Sequence, residues 1–182
     1  MPSCKSLTAL AKACGKVQGG ATNELYLIAY DDLTLTNGKA YTEDASSSMI
    51  SAFGLGTAPA KKFVKVGVID NSIALNSDYS ASPENNSFSF DSNLAFNISN
   101  ITAESRAFVQ TLAEVDYVVA VIKLKSGRVV CVGADGYLTL GTASMQSGTA
   151  VADLNGFNVT LTETGGISFP KLVDPTLLAT IV

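Results

Sequence analysis

Cys4, Cys14 and Cys131 are the only thiols in this sequence, and histidine is absent. Without histidine the commonest general base and metal ligand is missing, so a Ser-His-Asp triad cannot be assembled. No Gly-x-Ser-x-Gly elbow occurs either. Three cysteines without Cys-x-x-Cys spacing read as reduced, partly buried thiols of a cytosolic product, with a Cys4–Cys14 bridge left open. Cys131 stands between Val130 and Val132, where strand alternation makes it a core or inter-strand thiol rather than a nucleophile. The carboxylate pairs Asp31-Asp32 and Glu43-Asp44 lie beside turn signals, where acids hydrogen-bond the local backbone. Asp70-Asn71-Ser72 with Asn76 and Asp78 is rich in oxygen ligands, but it lacks the glycine and final glutamate of an EF-hand loop. Gly54-Leu55-Gly56-Thr57 lacks the Lys-Ser or Lys-Thr of a phosphate loop. Six tyrosines, at 26, 30, 41, 79, 117 and 137, could stack on a sugar or simply serve as strand residues. The expectation is a protein that is not an enzyme, with no cofactor and no metal.

Bulk properties narrow the class further. A chain of 182 residues suits one sizeable domain spanning 1–182. Charged residues make up only 15%, and the net charge is −4. The one adjacent basic pair is Lys61-Lys62, so no surface gathers the cations that grip phosphates. No run of eighteen apolar residues predicts a membrane-spanning helix, and Met1 to Val17 lacks the apolar block of a secretory signal. The sequons at Asn85, Asn97, Asn100 and Asn158 are expected by chance in a chain this rich in Asn, Ser and Thr.

The elements that must position these residues are mostly strands. From Ser87 to Ser99, Phe88, Phe90, Leu94, Phe96 and Ile98 fall on even positions and polar residues on odd ones, predicting one long strand with an apolar and a wet face. Further strands are predicted at Glu24–Tyr30, Phe63–Asp70, Ser72–Asp78, Val118–Leu124, Arg128–Gly133, Tyr137–Leu140 and Phe157–Thr162. Asn37-Gly38 predicts a tight hairpin turn and Asn155-Gly156 a second one. Ser80–Asn86 and Thr142–Ala152 read as polar connections. Thr102 to Val115 predicts a helix with Thr102 as N-cap and Glu104 in the first turn. A short N-terminal helix is expected over Ser3–Cys14, stopped by Gly15. Together these predict a mainly β (α+β) fold: an antiparallel β-sandwich or barrel of about nine strands with one flanking helix.

Two segments stand apart. Residues 42–62 read as a long flexible loop whose Met49, Ile50, Phe53 and Leu55 need cover, either from a partner chain or from the loop folding back on its own domain. The arm 167–182, with Leu177 and Leu178, is apolar and must dock on its own core or on a neighbour. These six residues are the candidate assembly contacts.

The order of elements resembles that of tail-tube proteins of long-tailed bacteriophages. The likeness is carried by Leu94 to Gly133, especially Ser105-Arg106-Ala107-Phe108-Val109 through Leu112, Val118 to Ile122, Ser126-Gly127-Arg128 and Val132-Gly133. Ser147 to Ala150 and Asp153 to Thr162 are similar to the closing part of tail-module proteins from phages of the Bacteroidetes. The resemblance implies a structural virion protein, made in the host bacterial cytoplasm, whose copies form stacked hexameric rings with continuous sheets. DNA would pass through without specific binding, other virion proteins would be partners, and no membrane would be involved. The loop 42–62 would then order against the adjacent ring. A neck, tail-terminator or capsid-decorating protein of similar fold, and a glycan- or ligand-binding β-sandwich, are the alternatives.

Overall fold

A computed structural model describes residues 9–11, 16, 18–57, 60–150 and 152–182. In chain order the elements are β1 (Ala21–Ala29), β2 (Tyr41–Glu43), β3 (Ile50–Phe53), β4 (Val64–Gly67), β5 (Ala74–Ser82), β6 (Ser87–Ser99), α1 (Ala103–Glu114), β7 (Val118–Leu124), β8 (Val129–Val132), β9 (Leu138–Gln146), β10 (Gly156–Gly166), β11 (Lys171–Val173) and α2 (Leu178–Ile181). The strands form two sheets. One has seven strands in the order β2-β3-β11-β8-β7-β1-β4, and the other has four in the order β5-β6-β10-β9. All neighbours are antiparallel except β3 and β11. The mainly β, sandwich-like architecture with a flanking helix is the one expected, with eleven strands rather than about nine.

Alternation explains the layering. The even residues Leu94, Phe96 and Ile98 of β6 turn inward with Val159 and Leu161 of β10, and they meet Leu25, Leu27, Ala120, Ile122 and Val132 of the larger sheet. Strand β7 is buried on both faces, which accounts for its unbroken run Val-Val-Ala-Val-Ile. The other face of the larger sheet, with Tyr26, Ile28, Val119, Val121 and Cys131, belongs to a second apolar cluster. Helix α1 closes one flank through Val109 and Leu112, and Thr102 and Ser105 form a reciprocal capping box at its start. A bridge between Val68 and Ile98 ties the two sheets at one corner.

The stretch 42–62 is not a long loop. It holds the end of β2 and all of β3, joined by a turn in which Asp44 accepts hydrogen bonds from the Ser46 amide and from the Ser46 and Ser47 hydroxyls. Ile50 pairs with Val173 of the C-terminal arm, and its carbonyl accepts from the Asp174 amide at 3.0 Å. The loop and the arm therefore cover each other.

Three smaller expectations change. Asn37 and Gly38 both have positive φ, as the predicted hairpin turn needs, but only the single bridge Thr36–Lys39 flanks them. Gly156 is no turn residue: it opens β10 directly under the Ile98 carbonyl, where a Cβ would collide. Strand β9 runs on to Gln146 through the first half of the expected polar connection, because β10 offers it a full ladder. The expected helix over Ser3–Cys14 and the cysteines Cys4 and Cys14 fall on positions largely outside the described residues.

Candidate functional site

The six candidate assembly residues are drawn inward. Ile50 is fully buried, and Phe53, Leu55, Leu177 and Leu178 pack against the same cluster beneath the seven-stranded sheet, with Met49 half-buried beside them. Phe53 meets Phe63 edge-on, with ring centroids 5.1 Å apart. Of the two sources of cover left open by the sequence, the chain supplies its own.

Several of the groups that could do chemistry are occupied structurally. Asp32 pairs with Lys61 at 2.9 Å, and Glu43 pairs with Lys171 at 2.7 Å, whose hydrogen bond holds the Glu43 carboxyl below its ordinary range. The Cys131 thiol is buried, and desolvation pushes its pKa far up, away from thiolate chemistry. Tyr26 and Tyr41 are core residues, Tyr41 donating to Asp135 Oδ1 at 3.1 Å, whereas Tyr79 is exposed on the other sheet. The six tyrosines form no single platform. Among the described residues no group of Cys, Asp and Glu could hold a metal ion, and no helix is long and apolar enough to cross a membrane.

What stands exposed is the four-stranded sheet. Strands β5 and β9, nine residues each, form its two edges, and among the described residues no strand pairs their outer sides. Its outward face carries Asn76, Asp78, Ser80, Asp91, Asn93, Asn97, Asn158, Thr160, Ser144 and Gln146, the partners of the inward residues by strict alternation. None of the four strands contains a lysine or arginine, and their charges are Asp78, Asp91 and Glu163. Asp78 and Asp91 stand directly opposite each other, an arrangement that repels an approaching anion.

Both edges also leave apolar side chains uncovered on the inward-facing side. Met145, level with the buried Phe157, is 62% exposed because no described strand lies beyond it. Tyr79, on the opposite edge, is 57% exposed. A further aromatic group gathers at the end of the β5–β6 hairpin, where Phe88 and Phe169 are exposed and Phe90 meets Phe169 edge-on, with ring centroids 4.6 Å apart. Alternation alone placed Phe88 and Phe90 on the covered face. Pairing with β10 ends at Phe90, however, and the hairpin runs past it to Ser82 and Ser87 without a facing layer.

Within the sheet one charge is truly buried. Glu163 is 5% exposed, beside Ser92 and Asp135. Burial is the main reason its carboxyl titrates above the ordinary range, against hydrogen bonds from the Ser92 hydroxyl and the Gly133 amide.

Comparison of this chain with protein-family models, with curated proteins and with solved structures finds no match in any of the three.

Proposed function

We propose that this protein is a structural subunit of a tailed-phage virion that assembles edge to edge into rings, which stack into a tail tube for the passage of DNA. One observation carries the reading: a four-stranded antiparallel sheet whose two long edges have no paired strand among the described residues. Because the strand number is even, β5 and β9 run in opposite directions. Rotating one copy to place its β5 beside the β9 of the next therefore continues the antiparallel alternation without a break. An odd-numbered sheet repeated in the same way would force a parallel junction. Such a head-to-tail contact closes on itself when the rotation closes, and every edge then disappears.

Size and charge agree with that use. Six copies would make a barrel of about 24 strands, which at about 4.8 Å spacing and about 36° tilt is roughly 45 Å across between backbones, wider than a DNA duplex. The outward face of the sheet would line the bore. Being neutral and acidic, it has no cations with which to displace phosphate counterions, so DNA would slide through rather than be held. The exposed aromatic group at the hairpin end is a surface that the next ring would cover.

The test is electron microscopy and light scattering of the purified protein over a concentration series. Rings, or tubes of stacked rings, support the proposal. Closed rings that never stack favour a neck or tail-terminator role, and a monomer at all concentrations overturns assembly altogether.

A further inference from the structure

Resting on the proposal that copies join edge to edge, we infer that β9 of one copy pairs with β5 of the next in one specific register. Met145 stands opposite Leu75, Ser144 opposite Asn76, Thr142 opposite Asp78 and Leu140 opposite Tyr79. Three separate constraints select it.

The first is overlap. Leu75 lies level with Leu94 of β6. Met145 lies level with Phe157 and so with Ile98, four residues further along the same strand. Without stagger, the second half of β9 would run past the start of β5. A four-residue stagger lays the two nine-residue strands side by side over their whole length.

The second is the face. Met145, Ala143 and Leu140 point to the inward side, as do Leu75, Ser77 and Tyr79, so only even staggers keep apolar against apolar. A two-residue stagger sets Met145 against Ile73, which lies outside β5 and is already buried. A six-residue stagger sets it against the polar Ser77. Gly141 is the extra residue where β9 shifts against β10, and skipping it brings Leu140 to Tyr79 with both faces still matched.

The third is closure. Four residues over four strands is one residue of shear per strand, the ratio of an eight-stranded barrel with shear 8, which tilts its strands by about 36°. A stagger of two would give about 19°, well outside the usual range of about 35–45°, and a stagger of six about 46°, at its upper limit. Polar complementarity follows without adjustment, since Thr142 offers its hydroxyl to Asp78 and Ser144 meets Asn76 on the wet face.

Cysteine pairs test the register in the whole protein. Directly opposed cross-strand Cβ atoms stand about 4.5–5.5 Å apart and need to close by only about 1 Å to reach disulfide geometry. Leu75→Cys with Met145→Cys, and separately Asn76→Cys with Ser144→Cys, should give a ladder of dimers, trimers and higher species on non-reducing gels after mild oxidation. Wild type and each single variant, which carry the native thiols, should give none. The Asn76 and Ser144 pair sits on the exposed face, so it reports even if the apolar pair folds poorly. A ladder from Ser77→Cys with Met145→Cys in place of these overturns the register while leaving edge joining intact. Rings seen by microscopy with no ladder from any pair overturn the use of these edges. Failure of the wild type to form rings overturns the proposed function itself.

Discussion

Replacing Met145 with lysine tests the proposed assembly separately from the fold. The side chain is 62% exposed on an edge strand, so in the isolated subunit the change should move stability by no more than about 0.5 kcal/mol. Once a second copy covers that edge, two losses appear. The apolar contact of the methionine with the neighbouring strand, about 1–2 kcal/mol, is gone. An ammonium then sits on the apolar side of a junction with no carboxylate partner, which costs a further 1–3 kcal/mol or so even after it bends toward water. About 3 kcal/mol per junction is more than a hundredfold in association constant, and the loss recurs at every junction of a closed ring. Inward-pointing lysine is also the device by which natural edges refuse a partner. The expected outcome is an unchanged circular dichroism spectrum and thermal midpoint, with light scattering and microscopy showing monomers under conditions in which the proposal has the wild type form rings. Leu35→Lys, an exposed apolar residue away from both edges, should assemble normally. Undiminished rings from Met145→Lys would refute the use of the β9 edge.

Other perturbations address the interior. Ile50→Ala should lower stability by about 2–5 kcal/mol in urea unfolding, as for a core residue, whereas an unpacked loop would tolerate it within about 0.5 kcal/mol. Gly156→Ala should destabilise by roughly 1–3 kcal/mol in a thermal melt, because its Cβ meets the Ile98 carbonyl and pushes β10 off β6. Glu163 binds its proton more tightly folded than unfolded, so its contribution is fully present below its ordinary pKa of 4.5 and is lost as pH rises through the raised value. Glu163→Gln should therefore flatten the fall in urea midpoint between acidic and neutral pH, and an unchanged slope would refute the assignment. Thr102→Ala should cost about 1 kcal/mol of thermal stability through loss of the capping box on α1.

Much of this fold was legible because the strongest local signals and the tertiary environment agree. Ser87–Ser99 and Val118–Leu124 form strands with the predicted bounds, and Thr102 caps the predicted helix, since period and cap chemistry act within a few residues. Residues 42–62 were misread for a physical reason. The short strand β3 is held by pairing with β2 and with β11, more than a hundred residues away, and no local pattern announces such a partner. The same applies to the assembly residues. The apolar content of Ile50, Phe53, Leu177 and Leu178 was visible, but their mutual cover was not. Conversely, the surfaces that do stand free are made of residues that look ordinary in sequence. Met145 lies in a run of small polar residues, and Phe88 lies in an alternation that elsewhere means burial. Their exposure is set by where neighbouring strands stop.

The two sheets of this protein treat their edges in opposite ways, and that contrast bears most directly on function. The larger sheet ends in β2, three residues long, and β4, four residues long with Lys65 and Gly67. Glu43 at the end of β2 is further engaged by Lys171 and Lys39. Short edges and charged residues are how a monomeric β-protein avoids adding strands from its neighbours. The smaller sheet guards its rims less: among the described residues β5 and β9 are each nine residues long, contain neither lysine nor proline, and carry Asp78 as their one charge. The bulge in β9 disturbs its pairing with β10 rather than capping its free side. A chain that guards one sheet and, among its described residues, leaves the other unpaired at both ends, with polarity suited to head-to-tail repetition, has the edge chemistry that the proposed assembly requires. A solitary binding sandwich has every reason to protect all four edges.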